Sequence, residues 1–206
     1  DINAVAPIIG SLSGNGLVTN SGAAQALSIG NDNTNQTFSG VLTAATAANL
    51  QLIKIGTGTQ TLTNKESFTG ATTINNGGIT LSGVGSLYNY STLATPTLTI
   101  NAGGTLTLDN STTNVANRIG GTLYPIANNS GANPTVGTAT TGTSATALTM
   151  TGGTLTIIGS STGALSENLG AFTATTGQNV INITPGTGGS NVLTLATYSA
   201  GGGSGS

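Results

Sequence analysis

The chain has 206 residues, with three Lys or Arg against five Asp or Glu and no His, Cys or Trp. Charged residues make up 4% and the net charge is −2, against about 25% charged in an ordinary soluble domain, so no field exists to steer nucleic acid or an anionic membrane. Missing Cys and His exclude disulfides, thiolate or imidazole metal centres and histidine-activated nucleophiles. Stability has to come from burial and hydrogen bonding, and the surface from Thr, Ser, Asn and Gly.

The chain opens on Asp1, which reads as a mature form after signal removal or as a segment excised from something longer. The apolar start from Ile2 to Leu12 (INAVAPIIGSL) is expected to cap the end of a sheet or to be donated to a neighbour as an added strand. The Ala-rich piece from Thr43 to Leu50 reads as a short loop or strand, and little or no helix is expected. Apolar runs are too short for a transmembrane helix.

From Lys54 to Gly83 the sequence packs short Thr-Leu-Thr alternations between Gly and Asn. The same period of two runs through Leu98–Ile100, Thr105–Leu108, Leu148–Met150, Thr154–Ile157 and Asn191–Leu195, sending aliphatic side chains to one face and Thr to the other. Asn75-Asn76-Gly77-Gly78, Asn101-Ala102-Gly103-Gly104, Thr151-Gly152-Gly153 and Pro185-Gly186 supply residues suited to positive φ at turns.

Strand, Gly-rich turn, strand is a repeated unit: Leu98–Leu108 (LTINAGGTLTL) returns as Leu148–Ile157 (LTMTGGTLTI), and imperfectly as Ala171–Thr184 (AFTATTGQNVINIT). Units that cannot bury an apolar face alone must stack on one another. Two all-β architectures satisfy this: a parallel β-helix (β-solenoid) with irregular loops, or an antiparallel β-sandwich. A sandwich core ordinarily uses more aromatic residues than three Phe and four Tyr, which favours the β-helix.

Lys54–Leu62 (KIGTGTQTL), Phe68–Asn75 (FTGATTIN), Gly78–Gly83 (GITLSG) and Gly85–Leu87 (GSL) resemble the autotransporter-associated β-strand repeat. Phe38–Leu42 (FSGVL) is similar to the strand that commonly precedes it. The resemblance implies a parallel β-helix exported to a bacterial cell surface, with a structural or adhesive role and no catalytic site in the repeat. A single solenoid domain is expected over residues 1–200, with 54–87 closest to the repeat and a loop-rich insert over 111–147. Residues 201–206 read as a flexible Gly/Ser tail.

Candidate chemistry is sparse, and no catalytic, cofactor-binding or metal-ligating residue is assigned. Lys54 or Lys65 beside Asn and Glu66 has the composition of an isopeptide crosslink, but a solvated or turn-stabilising Lys is the ordinary role. Asp32, Glu66, Asp109 and Glu167 are isolated in sequence, so solvation or turn capping is expected of them rather than a catalytic pair. Thr61-Leu-Thr63, Thr97-Leu-Thr99, Thr105-Leu-Thr107 and Thr154-Leu-Thr156 present paired Thr of the kind that orders water or binds ice. Their irregular spacing favours a plain outward role. Asn-x-Ser/Thr patterns stand at Asn35, Asn89, Asn110, Asn128 and Asn182.

Two functions are expected from these features. The first is a non-enzymatic, extracellular subunit of a surface fibre, sheath or stalk, partnered with itself through strand stacking. The alternative is an adhesin rod binding surfaces or glycans around Tyr88, Tyr90 and Tyr124. Neither nucleic acid nor membrane insertion is expected, and no cofactor.

Overall fold

The computed structural model describes residues 1–3, 5–87, 96–119 and 146–201. Fifteen strands lie among them: β1 (Leu17–Asn20), β2 (Gln25–Ile29), β3 (Gln36–Phe38), β4 (Val41–Ala44), β5 (Leu50–Lys54), β6 (Thr59–Leu62), β7 (Thr72–Ile74), β8 (Gly77–Leu81), β9 (Thr97–Asn101), β10 (Gly104–Asp109), β11 (Ala147–Thr151), β12 (Thr154–Ile158), β13 (Leu165–Ala174), β14 (Val180–Thr184) and β15 (Asn191–Ala200). Stiff, β-branched Thr, Ile and Val favour this extended backbone. The Ala-rich piece becomes a single 3-10 turn, Ala47–Asn49, between β4 and β5.

The strands form a seven-stranded sheet ordered β15-β13-β11-β9-β7-β5-β2, a six-stranded sheet ordered β14-β12-β10-β8-β6-β3, and a β1-β4 pair. Every strand pairing is parallel. Parallel bridges Thr43–Ser67 and Lys65–Ser86 continue the β1-β4 line. The antiparallel sandwich kept as an alternative does not match these ladders; among the described residues antiparallel geometry occurs only at the isolated bridge Asn101–Gly152. The short Gly turns explain why. Ala102-Gly103 carries the chain from β9 in one sheet to β10 in the other, instead of folding a strand back on its neighbour.

Sequence repeats become adjacent strands in register. Leu98 pairs with Leu148 and Ile100 with Met150, while Leu106 pairs with Leu155 and Leu108 with Ile157. The alternation therefore builds continuous inward columns, and the inward faces of both large sheets share one hydrophobic core cluster. Burial of this kind contributes about 25 cal/mol per Å² of apolar area. Leu106 is fully buried between Ile79 and Leu155, so Leu106→Ala is expected to lower unfolding free energy by about 2–5 kcal/mol in a urea titration.

Gly103 (φ 84°) and Gly152 (φ 75°) hold the left-handed conformation at equivalent turns, which a side chain would strain. Pro185-Gly186 differs from expectation. Gly186 is not among the positive-φ glycines; a Cβ there would instead overlap the Ser160 carbonyl, so close approach of two backbones selects glycine.

Residues 7–14 lie along the β2 and β3 edges. Ile9 N–H donates to Ser28 O (2.9 Å), Ser28 N–H to Pro7 O (2.9 Å) and Ser39 N–H to Gly14 O (2.8 Å). Ile2, Ile9 and Leu12 pack against the core. The Gln60 side chain acts as a surrogate peptide: its Oε1 accepts from Leu12 N–H (2.8 Å) and its Nε2 donates to Leu12 O (2.9 Å).

Candidate functional site

Four charged side chains lie in the interior, and three of them, Lys54, Glu66 and Glu167, stand two residues from buried apolar side chains. Lys54 occupies the column of Ile29, Ile74 and Ile100 and is fully buried. Its Nζ donates to the carbonyls of Ile55 (2.5 Å), Gly56 (3.0 Å) and Asn76 (3.4 Å), joining the turn after β5 to the turn after β7. Desolvation lowers its pKa, against a smaller opposing effect of the Asp32 charge.

Arg118 is also fully buried, and its guanidinium is solvated by backbone. Nε donates to Asn110 Oδ1 (2.8 Å), Nη1 to Gly85 O (2.5 Å), and Nη2 to the carbonyls of Gly83 (2.8 Å), Asp109 (3.0 Å) and Thr113 (3.0 Å). The planar fork suits several convergent carbonyls in a way an ammonium cannot. Desolvation brings its pKa down to about 10, opposed by the charges of Glu167 and Asp109.

Glu66 and Glu167 do the converse, each accepting from backbone N–H. Glu66 Oε2 accepts from Leu42 N–H (2.5 Å) and Glu167 Oε1 from Arg118 N–H (3.0 Å). Glu66 Oε1 and Glu167 Oε2 have no hydrogen-bond partner. Burial pushes both carboxyls up to about 8, although these N–H groups favour the ionised form. The solvation or turn capping expected of Glu66 and Glu167 and the solvation expected of Lys54 are thus corrected, since Lys54, Glu66 and Glu167 have no exposed surface; the turn-stabilising role of Lys54 holds, from the inside. The structure also does not join Lys54 to Glu66, since one meets carbonyls and the other an amide.

The signal was present in the alternation. Leu50, Leu52 and Lys54 share one face of β5, Gln60 sits two residues before Leu62, and Thr72 two before Ile74. Each polar residue stands at an inward position, which predicts burial.

Two acids do cap turns. Asp32 accepts from the Ser11 hydroxyl (2.7 Å) and Thr34 N–H (3.1 Å), which draws its carboxyl down to about 2. Asp109 accepts from Ser111 N–H (2.9 Å). Among the described residues no three of His, Cys, Asp and Glu come together as a metal-binding group. No described helix is long and apolar enough to cross a membrane.

The edge made by β14 and β15 leaves apolar side chains of the core uncovered. Ile183 is 43% exposed while its in-register neighbour Ile157 is 2% exposed, and Tyr198 is 62% exposed beside Phe172 at 5%. Leu193, Leu195 and Ile181 remain partly buried against the core. Each of these two strands is paired on one side only among the described residues.

Tyr88, Tyr90, Tyr124, Asn89, Asn128, most of the 111–147 insert and residues 202–206 lie outside the described residues. Asn110 is buried beside Arg118, whereas Asn35 and Asn182 are exposed. Comparison with family models, curated proteins and solved structures found no match.

Proposed function

We propose that the chain is a non-enzymatic parallel β-solenoid, exported to a bacterial surface, that serves as a subunit or segment of a fibre, sheath or stalk and associates with itself by strand stacking. One observation carries it: the β14 and β15 edge is long and uncharged and exposes Ile183, Val192 and Tyr198. β15 runs ten residues, NVLTLATYSA, without the Lys, Pro or bulge that ordinarily blunts an exposed edge. The occupant is a second copy presenting its β2 and β3 end, where Ile8 (65% exposed) lies on the segment that runs along those strands and Val5 (62% exposed) just before it. Such head-to-tail contact is heterologous and leads to open filaments. A net charge of −2 supplies little repulsion against it.

Sedimentation velocity tests this. The protein is expected to form oligomers that lengthen with concentration, and Ile183→Lys with Leu195→Lys to remain monomeric with unchanged circular dichroism. A monomer at every concentration, or equal association by the variant, overturns the proposal.

A further inference from the structure

The outward face of the six-stranded sheet carries Thr in ranks that the sequence spacing hides. Thr37 pairs with Thr61, Thr61 with Thr80, Thr80 with Thr107 and Thr107 with Thr156, five consecutive strands with one hydroxyl position. Two residues away Thr105 pairs with Thr154, and Thr59 continues that rank past Gly78. Loops of unequal length separate these strands along the chain, so the unequal spacing of the Thr-x-Thr triplets is no sign of disorder in space.

The hydroxyls of this face are also uncommitted. Among the described residues, those of Thr61, Thr80, Thr105, Thr107, Thr154 and Thr156 make no hydrogen bond within the chain, and all six side chains are half-buried, flush with the sheet. The seven-stranded sheet carries a shorter rank, Thr73, Thr99, Thr149 and Thr173, and the polar groups two residues along are committed to one another: Thr151 bonds Thr175 (2.7 Å) and Asn101 bonds Asn75 (2.7 Å), while Thr173 itself bonds Ser199 (3.0 Å).

We infer that the Thr face of the six-stranded sheet is a binding surface for ordered water, and specifically for the surface of ice. Neighbouring strands set hydroxyls about 4.8 Å apart, and alternate residues of one strand set them about 6.7 Å apart. This gives a two-dimensional oxygen lattice on the scale of the water repeat in ice. Stiff χ1 of Thr holds each hydroxyl and methyl in place before binding, so little side-chain freedom is lost. Between the two ranks no charged side chain draws water into a competing shell; Asp109, paired with Ile158, stands at the margin. The absence of aromatic residues on these ranks removes the stacking platforms that sugar recognition uses.

Nanolitre osmometry with observation of crystal shape tests the inference on the intact chain. Wild type is expected to show thermal hysteresis and faceted crystals and to partition into a growing ice front. Thr107→Lys with Thr156→Lys is expected to lose all three, while Thr99→Lys with Thr149→Lys on the seven-stranded sheet keeps them. Thr107→Val with Thr156→Val, which preserves shape and removes the hydroxyls, guards against misfolding and is expected to weaken hysteresis at an unchanged melting temperature. Absence of hysteresis and shaping in wild type, their survival in both sets of six-stranded-sheet variants, or equal loss in the seven-stranded-sheet variant overturns it. Monomeric protein that shapes ice would sink self-association and leave this inference standing.

Discussion

Unfolding by urea is expected to become easier as pH rises from about 4.5 to about 8, because Glu66 and Glu167 are neutral in the folded chain over that range and ionised in the unfolded one. The folded state then binds more protons than the unfolded, so stability falls with pH. The protection is fully present below about 4.5, the ordinary glutamate value, and is lost as pH climbs through about 8. Each carboxyl contributes a slope of at most about 1.4 kcal/mol per pH unit. At the acid end Asp32 acts oppositely: its help is present above 3.8 and disappears as pH falls through about 2. Stability is therefore expected to peak in mild acid. Glu66→Gln keeps an acceptor for Leu42 N–H and removes the titration, so its profile is expected to be flatter by about one carboxyl. A wild-type midpoint that holds constant or rises across this range would contradict neutral buried acids.

Arg118→Ala is expected to be the most damaging single substitution, at about 3–5 kcal/mol, because it leaves several buried acceptors without a donor, each at a cost of about 1–3 kcal/mol. It strips donors from the carbonyls of Gly83, Gly85, Asp109 and Thr113 and from Asn110 Oδ1. Asn110 already has an unpartnered Nδ2. Arg118→Lys is expected to recover only part, since one ammonium cannot satisfy acceptors spread around a planar fork. Urea titrations of Arg118→Ala, Glu167→Gln and the double variant measure the coupling, expected at about 0.5–3 kcal/mol for groups in one network. An Arg118→Ala loss within about 0.5 kcal/mol, the range of surface substitutions, would show that the carbonyl cage contributes nothing.

Strand positions and the repeat were legible in sequence for a physical reason. In Leu98–Leu108 and Leu148–Ile157 a period of two is bounded by Gly turns, and both segments became neighbouring strands in register. The choice of parallel pairing was legible through the repeat as well, since like units stack on like. The polar interior was legible in part: the alternation marks Lys54 as an inward position but not what its side chain bonds. Eight charged residues in 206 suggest solvated exceptions, whereas Lys54, Glu66, Arg118 and Glu167 satisfy backbone groups inside the chain. Local composition says nothing about which carbonyls or amides lack a ladder partner, and that lack is what selects them. The Thr ranks were hidden for a related reason: loop length sets spacing in sequence, while hydrogen-bond register sets spacing in space.

Stacking of strand upon strand, within one copy and on to the next, is tested most directly by diffraction from oriented filaments of the purified protein. The strand spacing of about 4.8 Å is expected along the filament axis, with strands lying across it. Discrete monomers under all conditions, or that spacing at right angles to the axis, would contradict it.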